Sequence, residues 1–348
     1  MVTANPYSLS FGKIPHQYIS RDLIITDIVE SLNNDISGEQ AFKITGVRGT
    51  GKTVTLTAIE KVLKNKKDWI VIDLKSGGNI TEDLISALYS KESFLTKYVD
   101  ANLNLQAFGI GLNLSAKSPI SSTSVALKRI LEEVKKHKKR VLVVIDELRK
   151  TDYIVDFIQE FQILIRQELP ICLLVAGLYE DIDAVENTDG LTFFLRAESY
   201  EMSPLGLGII REDYRETLGL SKEVAARLAE MTRGYAYAYQ VFGKYMWDSH
   251  SKDINDMILA KVDDVLAKKV YNKLWRELSG NEKKFMSFIA TKDRMSVNEL
   301  LELTHKKHSD FSRPRKRLIE KGIIDGKQRG EVRLLLPRFA EFIKEQID

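Results

Sequence analysis

The run Gly46-Val47-Arg48-Gly49-Thr50-Gly51-Lys52-Thr53 constrains this chain more than any other feature. A loop that cradles phosphate needs glycines where the backbone turns its N–H groups toward phosphate oxygens. It also needs a lysine that reaches the β- and γ-phosphates and a hydroxyl for Mg²⁺. Gly46, Gly51, Lys52 and Thr53 fill those roles, and the residues from Gly46 through Val54 form the candidate nucleotide-binding set. The setting agrees with the motif. An apolar stretch at Ala41–Thr45 precedes the loop, and an amphipathic helix follows from Gly51 to about Lys64, its positive end favouring an anion. ATP and Mg²⁺ are the cofactors this pattern predicts.

Strand and helix signals alternate through the first two hundred residues or so, the order of a parallel sheet covered by helices. Strands are expected at Trp69–Leu74, Val141–Ile145, Ile171–Ala176 and Glu198–Met202, and helices at Thr81 to about Tyr98, Ser124–Lys138 and Tyr153–Glu168. The stretch 102–114 alternates with period two around glycines and reads as a hairpin inserted at about 103–114. Beyond Gly206 the pattern is wholly helical to about Lys269.

Val141-Leu142-Val143-Val144-Ile145-Asp146-Glu147 is an apolar strand ending in two carboxylates, about ninety residues after the glycine-rich loop. A strand-ending carboxylate of this kind holds Mg²⁺, often through water, so Asp146 joins Thr53 as a candidate metal-side residue. Glu147, one residue on, is placed to polarise an attacking water as general base.

The segment 271–348 has a different grammar. Helical stretches at Asn281–Thr291 and Ser296–Thr304 and a basic one ending at Lys321-Gly322 are followed by turns at Asp325-Gly326 and Arg329-Gly330. Two short strands around those turns make a helix-turn-helix with a wing. The net charge of the chain is only +3, but the positive charge is concentrated in this segment and leaves the rest slightly acidic. Lys306, Lys307, Arg313, Arg315, Lys316 and Arg317, with Lys327 and Arg329 on the wing, are the candidate contacts to double-stranded DNA. Pro314 is tolerated only in a first turn, so the third helix is expected to be short, with Ser312 as its N-cap. Such modules also serve as protein-contact or autoinhibitory elements, and that alternative stays open here.

At 348 residues more than one domain is expected. The partition read from the pattern is an α/β domain over 1–204, a helical lid over 205–270 and a winged helix over 271–348. The lone cysteine, Cys172, sits in the apolar run Ile171–Ala176 and reads as a buried thiol of a reducing compartment. No apolar run approaches the ~20 residues of a membrane span, so a soluble, cytoplasmic protein is expected.

The loop, the Asp146-Glu147 pair, the helical segment after Met202-Ser203-Pro204-Leu205 and the terminal module together resemble AAA+ ATPases. The resemblance is nearest the replication-initiator (origin-recognition) branch and related bacterial STAND-type ATPases. It implies a P-loop parallel sheet followed by an α-helical lid and a winged helix-turn-helix, ATP hydrolysis, and DNA binding set by nucleotide state. A STAND-like switch or loader acting on a protein partner is the alternative, and nucleotide-dependent homo-oligomers are implied by either. The resemblance further implies an arginine finger at Arg196 in Phe193-Phe194-Leu195-Arg196, reaching a neighbour's γ-phosphate. It implies a phosphate sensor at Arg233, before the helix in Gly234-Tyr235-Ala236-Tyr237, and an adenine-covering segment at Tyr18–Leu23. The bland readings of those three are an exposed salt-bridged arginine, a solvated residue before a glycine turn and a plain helix start. Ile171–Ala176 runs into Gly177-Leu178, where family members carry a polar sensor, so slow hydrolysis is expected.

Overall fold

The computed structural model describes residues 4–10, 14–34, 38–102, 123–326, 328 and 330–347. Its chain divides into two compact units, one of Arg21–Thr45 and Lys52–Glu201, the other of Met1–Ser20, Gly46–Gly51 and Met202–Asp348. The expected hairpin at 103–114, and Lys327 and Arg329, lie outside the described residues.

In the first unit, α1 (Asp22–Asn33), β1 (Ala41–Thr45), α2 (Lys52–Lys64) and β2 (Trp69–Lys75) are followed by α3 (Ile80–Lys91), α4 (Ser93–Asn102) and α5 (Thr123–Lys136). Then come β3 (Arg140–Asp146), α6 (Asp152–Arg166), β4 (Ile171–Gly177), α7 (Tyr179–Glu186), a 3₁₀ turn (Thr192–Arg196) and β5 (Glu198–Glu201). The strands form one all-parallel sheet in the order β2-β3-β4-β1-β5, the P-loop α/β arrangement that the alternating pattern predicts. Thr45 stands opposite Gly177, and Ile145 opposite Val175. Thus β4 separates the strand leading into the glycine-rich loop from the strand ending in Asp146. Both faces of the central strands are covered, which is why every residue of β4 is buried and the sequence there is continuously apolar.

The helices bury stripes at three- and four-residue spacing. In α6 these are Ile154, Phe157, Ile158, Phe161 and Leu164, and Thr151 caps the helix by accepting the Ile154 N–H at 3.2 Å. Each such side chain contributes about 1.5–3 kcal/mol on leaving water. The single helix expected from Thr81 to about Tyr98 is two helices. Glu92 adopts an extended conformation (φ −130°, ψ 127°) between them, and the Thr96 hydroxyl closes the corner by donating to Tyr89 O at 2.7 Å. This bend lets Leu95 and Val99 bury in the same core as Leu84 and Leu88.

The second unit contains α8 (Leu207–Leu218), α9 (Lys222–Thr232), α10 (Ala236–Ser249), α11 (Asp256–Leu266), a π turn (Ala267–Tyr271) and α12 (Asn272–Glu277). It ends with α13 (Gly280–Lys292), β6 (Arg294–Ser296), α14 (Val297–Thr304), α15 (His308–Glu320), β7 (Glu331–Arg333) and α16 (Phe339–Glu345). One hydrophobic core runs from the four helices α8–α11 into this C-terminal module. The N-terminal segment belongs to it as well: Tyr7 is buried beside Tyr214 and Tyr239, and its hydroxyl donates to Asp213 at 2.7 Å.

Two expectations for the C-terminal module change. Helix α15 begins at His308, so Ser312 is not an N-cap but a residue inside the helix, its hydroxyl donating to His308 O at 2.9 Å. Pro314 is accommodated in the helix because Phe311 and Leu318 anchor it on one buried face. The residue whose carbonyl loses a helical partner to that proline, Asp310, is exposed. The ribbon also differs from the expected pair of strands: β7 pairs antiparallel with β6, and a single bridge joins Ile324 to Leu334. Three residues of strand carry too little periodicity to be read from sequence.

Candidate functional site

The glycine-rich run forms the loop between β1 and α2. Gly49 and Gly51 have positive φ, +76° and +97°, which only glycine adopts without strain. A Cβ on Gly49 would also lie 2.2 Å from the Tyr235 hydroxyl, so that position admits no side chain. Within the same unit the Tyr235 hydroxyl donates to Arg48 O at 2.6 Å, and the Tyr237 N–H donates to Gly49 O at 2.9 Å. The Thr50 hydroxyl donates to Val47 O at 2.9 Å. Tyr235 is buried, and burial pushes its phenol well above the ordinary tyrosine range, so it stays a protonated donor.

In the sheet unit, the Thr53 hydroxyl at the start of α2 donates to Asp146 Oδ2 at the end of β3, at 2.6 Å. The other carboxylate oxygen accepts the Glu147 N–H at 2.9 Å. A hydroxyl and a carboxylate are hard oxygen donors suited to Mg²⁺. No group of three or more His, Cys, Asp or Glu able to hold a metal occurs among the described residues. An ion held by Thr53 and Asp146 would need its remaining ligands from a bound molecule's oxygens and from water, as Mg²⁺ commonly does. Glu147 has φ +51°, a left-handed conformation costly for a non-glycine residue. Its carbonyl accepts the Ser76 hydroxyl at 3.1 Å, and its half-exposed carboxylate lies 3.6 Å from Arg149.

Arg196 is exposed at the end of its 3₁₀ turn. Sequence reasoning missed the group that fixes this turn: buried Lys43 of β1 donates to Phe194 O at 3.0 Å and ion-pairs with Glu186. A lysine inside an otherwise apolar strand was the available signal. Cys172 is buried, and burial pushes its thiol up to about 12.

Arg233 is the residue expected as a phosphate sensor. It takes the left-handed conformation that ends α9, and its guanidinium donates to Leu334 O and Asp293 Oδ2, each at 2.6 Å. Arg338 makes a second such link, donating through Nε to Asp263 of α11 at 2.6 Å. Arginines from different elements thus tie the C-terminal module to the helices before it.

On α15 the basic residues divide. Ser309, Ser312, Arg313 and Lys316 share an exposed stripe at three- and four-residue spacing, and Lys307 is exposed at the helix start. Lys306 and Arg315 are half-buried. Arg317 leans on Glu282, a carboxylate only 1% exposed, at 3.3 Å. Among the described residues no helix is long and apolar enough to cross a membrane.

A family model described as a domain of unknown function (DUF8462) matches residues 268–343, the C-terminal module. A comparison with curated proteins returns no match. Solved structures similar to this chain include Cdc6p from Pyrobaculum aerophilum, at 17% identity and a TM-score of 0.49, covering 97% of this chain and 98% of that one. The Aeropyrum pernix Orc1 protein in complex with DNA matches at 16% identity and a TM-score of 0.47, covering 95% and 94%. Domain III of the Thermotoga maritima replication initiation protein DnaA matches at 16% identity and a TM-score of 0.42, covering 72% and 94%.

Proposed function

We propose that the chain is a P-loop ATPase of the AAA+ type that binds Mg·ATP and couples its nucleotide state to duplex DNA through a C-terminal winged helix. The carrying observation is the 2.6 Å contact between Thr53 and Asp146, which brings together the two side chains that would share the ion. When bound, Mg²⁺ supplies positive charge to the phosphoryl oxygens. Lys52 adds its ammonium to the β- and γ-phosphates, and the loop amides hold their oxygens. Glu147 orients the attacking water and accepts its proton. Arg196 acts as a finger on a neighbouring copy's γ-phosphate. Turnover is slow, because β4 ends in Ala176-Gly177 with no polar side chain to contact the phosphate.

Arg313 and Lys316, on the open stripe of α15, neutralise DNA phosphates or reach base edges, with Lys307 against the backbone. The test is filter binding of duplex DNA at two salt concentrations, with and without ATP, alongside ATP turnover by wild type and Glu147→Gln. Salt-sensitive, ATP-dependent DNA retention with turnover lost in Glu147→Gln is expected. DNA binding absent at both salts removes the nucleic-acid part of the proposal.

A second reading is favoured by the arginine links of Arg233 and Arg338: a STAND-like switch in which the module is held by the helical segment until nucleotide and a protein partner release it. Nucleotide-dependent assembly without any DNA affinity supports that reading instead.

A further inference from the structure

Three successive carbonyls of the glycine-rich loop are claimed by donors. Val47 O accepts the Thr50 hydroxyl, Arg48 O the Tyr235 hydroxyl and Gly49 O the Tyr237 N–H. Two of these donors sit at the start of α10, far along the chain from the loop they hold. Every peptide bond here is trans, and in a planar trans peptide the C=O and the following N–H point in opposite directions. Fixing Arg48 O and Gly49 O therefore fixes the directions of the Gly49 and Thr50 amides, away from α10.

Resting on the nucleotide-binding reading above, we propose that Tyr235 and the Tyr237 backbone N–H are positioning groups for the phosphate cradle, pre-aiming the Gly49 and Thr50 amides at a bound polyphosphate. The close approach at Gly49 agrees with this. Its missing side chain leaves room for the Tyr235 hydroxyl, so glycine there serves the tyrosine as well as the turn. The start of α10 thereby works on the phosphates without an arginine, through carbonyls rather than by direct contact. Fixed donor directions raise affinity by removing the ordering that the loop otherwise undergoes on binding.

The test measures affinities of Mg·ATP and of inorganic pyrophosphate by calorimetry for wild type, Tyr235→Phe, Tyr237→Ala and Tyr237→Pro. Thermal unfolding of each nucleotide-free protein is recorded alongside. Tyr235→Phe keeps the ring and removes only the donor. Its expected effect is weaker binding of both probes by about tenfold, the scale of one lost hydrogen bond to a half-buried carbonyl, with the unfolding midpoint of the nucleotide-free protein little changed. Tyr237→Ala and Tyr237→Pro both lose the side chain, but only proline also loses the N–H, and proline is tolerated in a helix's first turn. The proline variant is expected to bind both probes several-fold more weakly than the alanine variant. This pair decides the matter if Tyr235→Phe does not fold. Equal affinities, within twofold, across Tyr235→Phe and wild type and across the Tyr237 pair overturn the positioning role while leaving nucleotide binding intact. A wild-type protein that binds neither probe overturns the nucleotide reading itself.

Discussion

Replacing Thr53 by valine tests the metal-side pair most informatively, because valine keeps the branched shape and removes only the hydroxyl. The Thr53–Asp146 hydrogen bond, at 2.6 Å, has the length of a charge-assisted O–H···O⁻ contact. Such bonds contribute about 1.5–3 kcal/mol, and the half-buried setting puts this one near the lower bound, roughly tenfold in an equilibrium. The consequence for ligand binding is larger in Mg²⁺ than in its absence if both side chains hold one ion. Four proteins, wild type, Thr53→Val, Asp146→Asn and the double variant, are titrated with ATP in Mg²⁺ and in EDTA. In EDTA all four bind within a few-fold of one another. In Mg²⁺ each single variant loses about 10- to 100-fold, and the double variant loses little beyond the worse single, because the second change acts on an ion already lost. Multiplying losses, or losses as large in EDTA as in Mg²⁺, refute the shared-ion reasoning.

Further outcomes follow from individual contacts. Arg313→Ala and Lys316→Ala each reduce the slope of log affinity for duplex DNA against log salt by about 0.9 if each neutralises one phosphate, measured by filter binding across a salt series. Arg317→Ala instead lowers the melting temperature, since it leaves the buried Glu282 carboxylate without its cation, a cost of about 1–3 kcal/mol. Asp213→Asn replaces an acceptor that receives both the Tyr7 and Tyr239 hydroxyls, at 2.7 and 2.8 Å. It is expected to cost about 2–4 kcal/mol and to speed amide exchange in the N-terminal segment around Tyr7, and unchanged exchange there contradicts that anchoring. Arg196→Ala mixed with Lys52→Ala restores ATP turnover if the finger acts in trans, and a mixture as inactive as its components argues against that geometry.

The elements legible in sequence were those whose pattern is local. The continuous apolar runs of β3 and β4, the α6 stripe and the glycine-rich loop declare themselves through periodicity or spacing. The illegible features depend on distant partners. Pro314 argues locally for a helix start near Ser312, yet the burial of Phe311 and Leu318 on one face outweighs it. The break at Glu92 is set by where Leu95 and Val99 must pack. The contacts of Arg233 to Asp293 and the Leu334 carbonyl join residues 60 and 101 positions apart, and nothing local announces them. Tyr235 could not be read as a loop partner, because its acceptor is a backbone carbonyl, and every residue carries one of those. Tyr7 joins the helical core from a segment with no helical period of its own.

Calorimetric titration of Mg·ATP into wild type and Lys52→Ala tests the nucleotide site most directly. Saturable one-to-one binding by wild type, lost or weakened by orders of magnitude in the variant, is the predicted result, because the Lys52 ammonium is proposed to reach the β- and γ-phosphates. Equal affinities for the two proteins, or no binding by either, contradict the phosphate cradle on which the functional assignment rests.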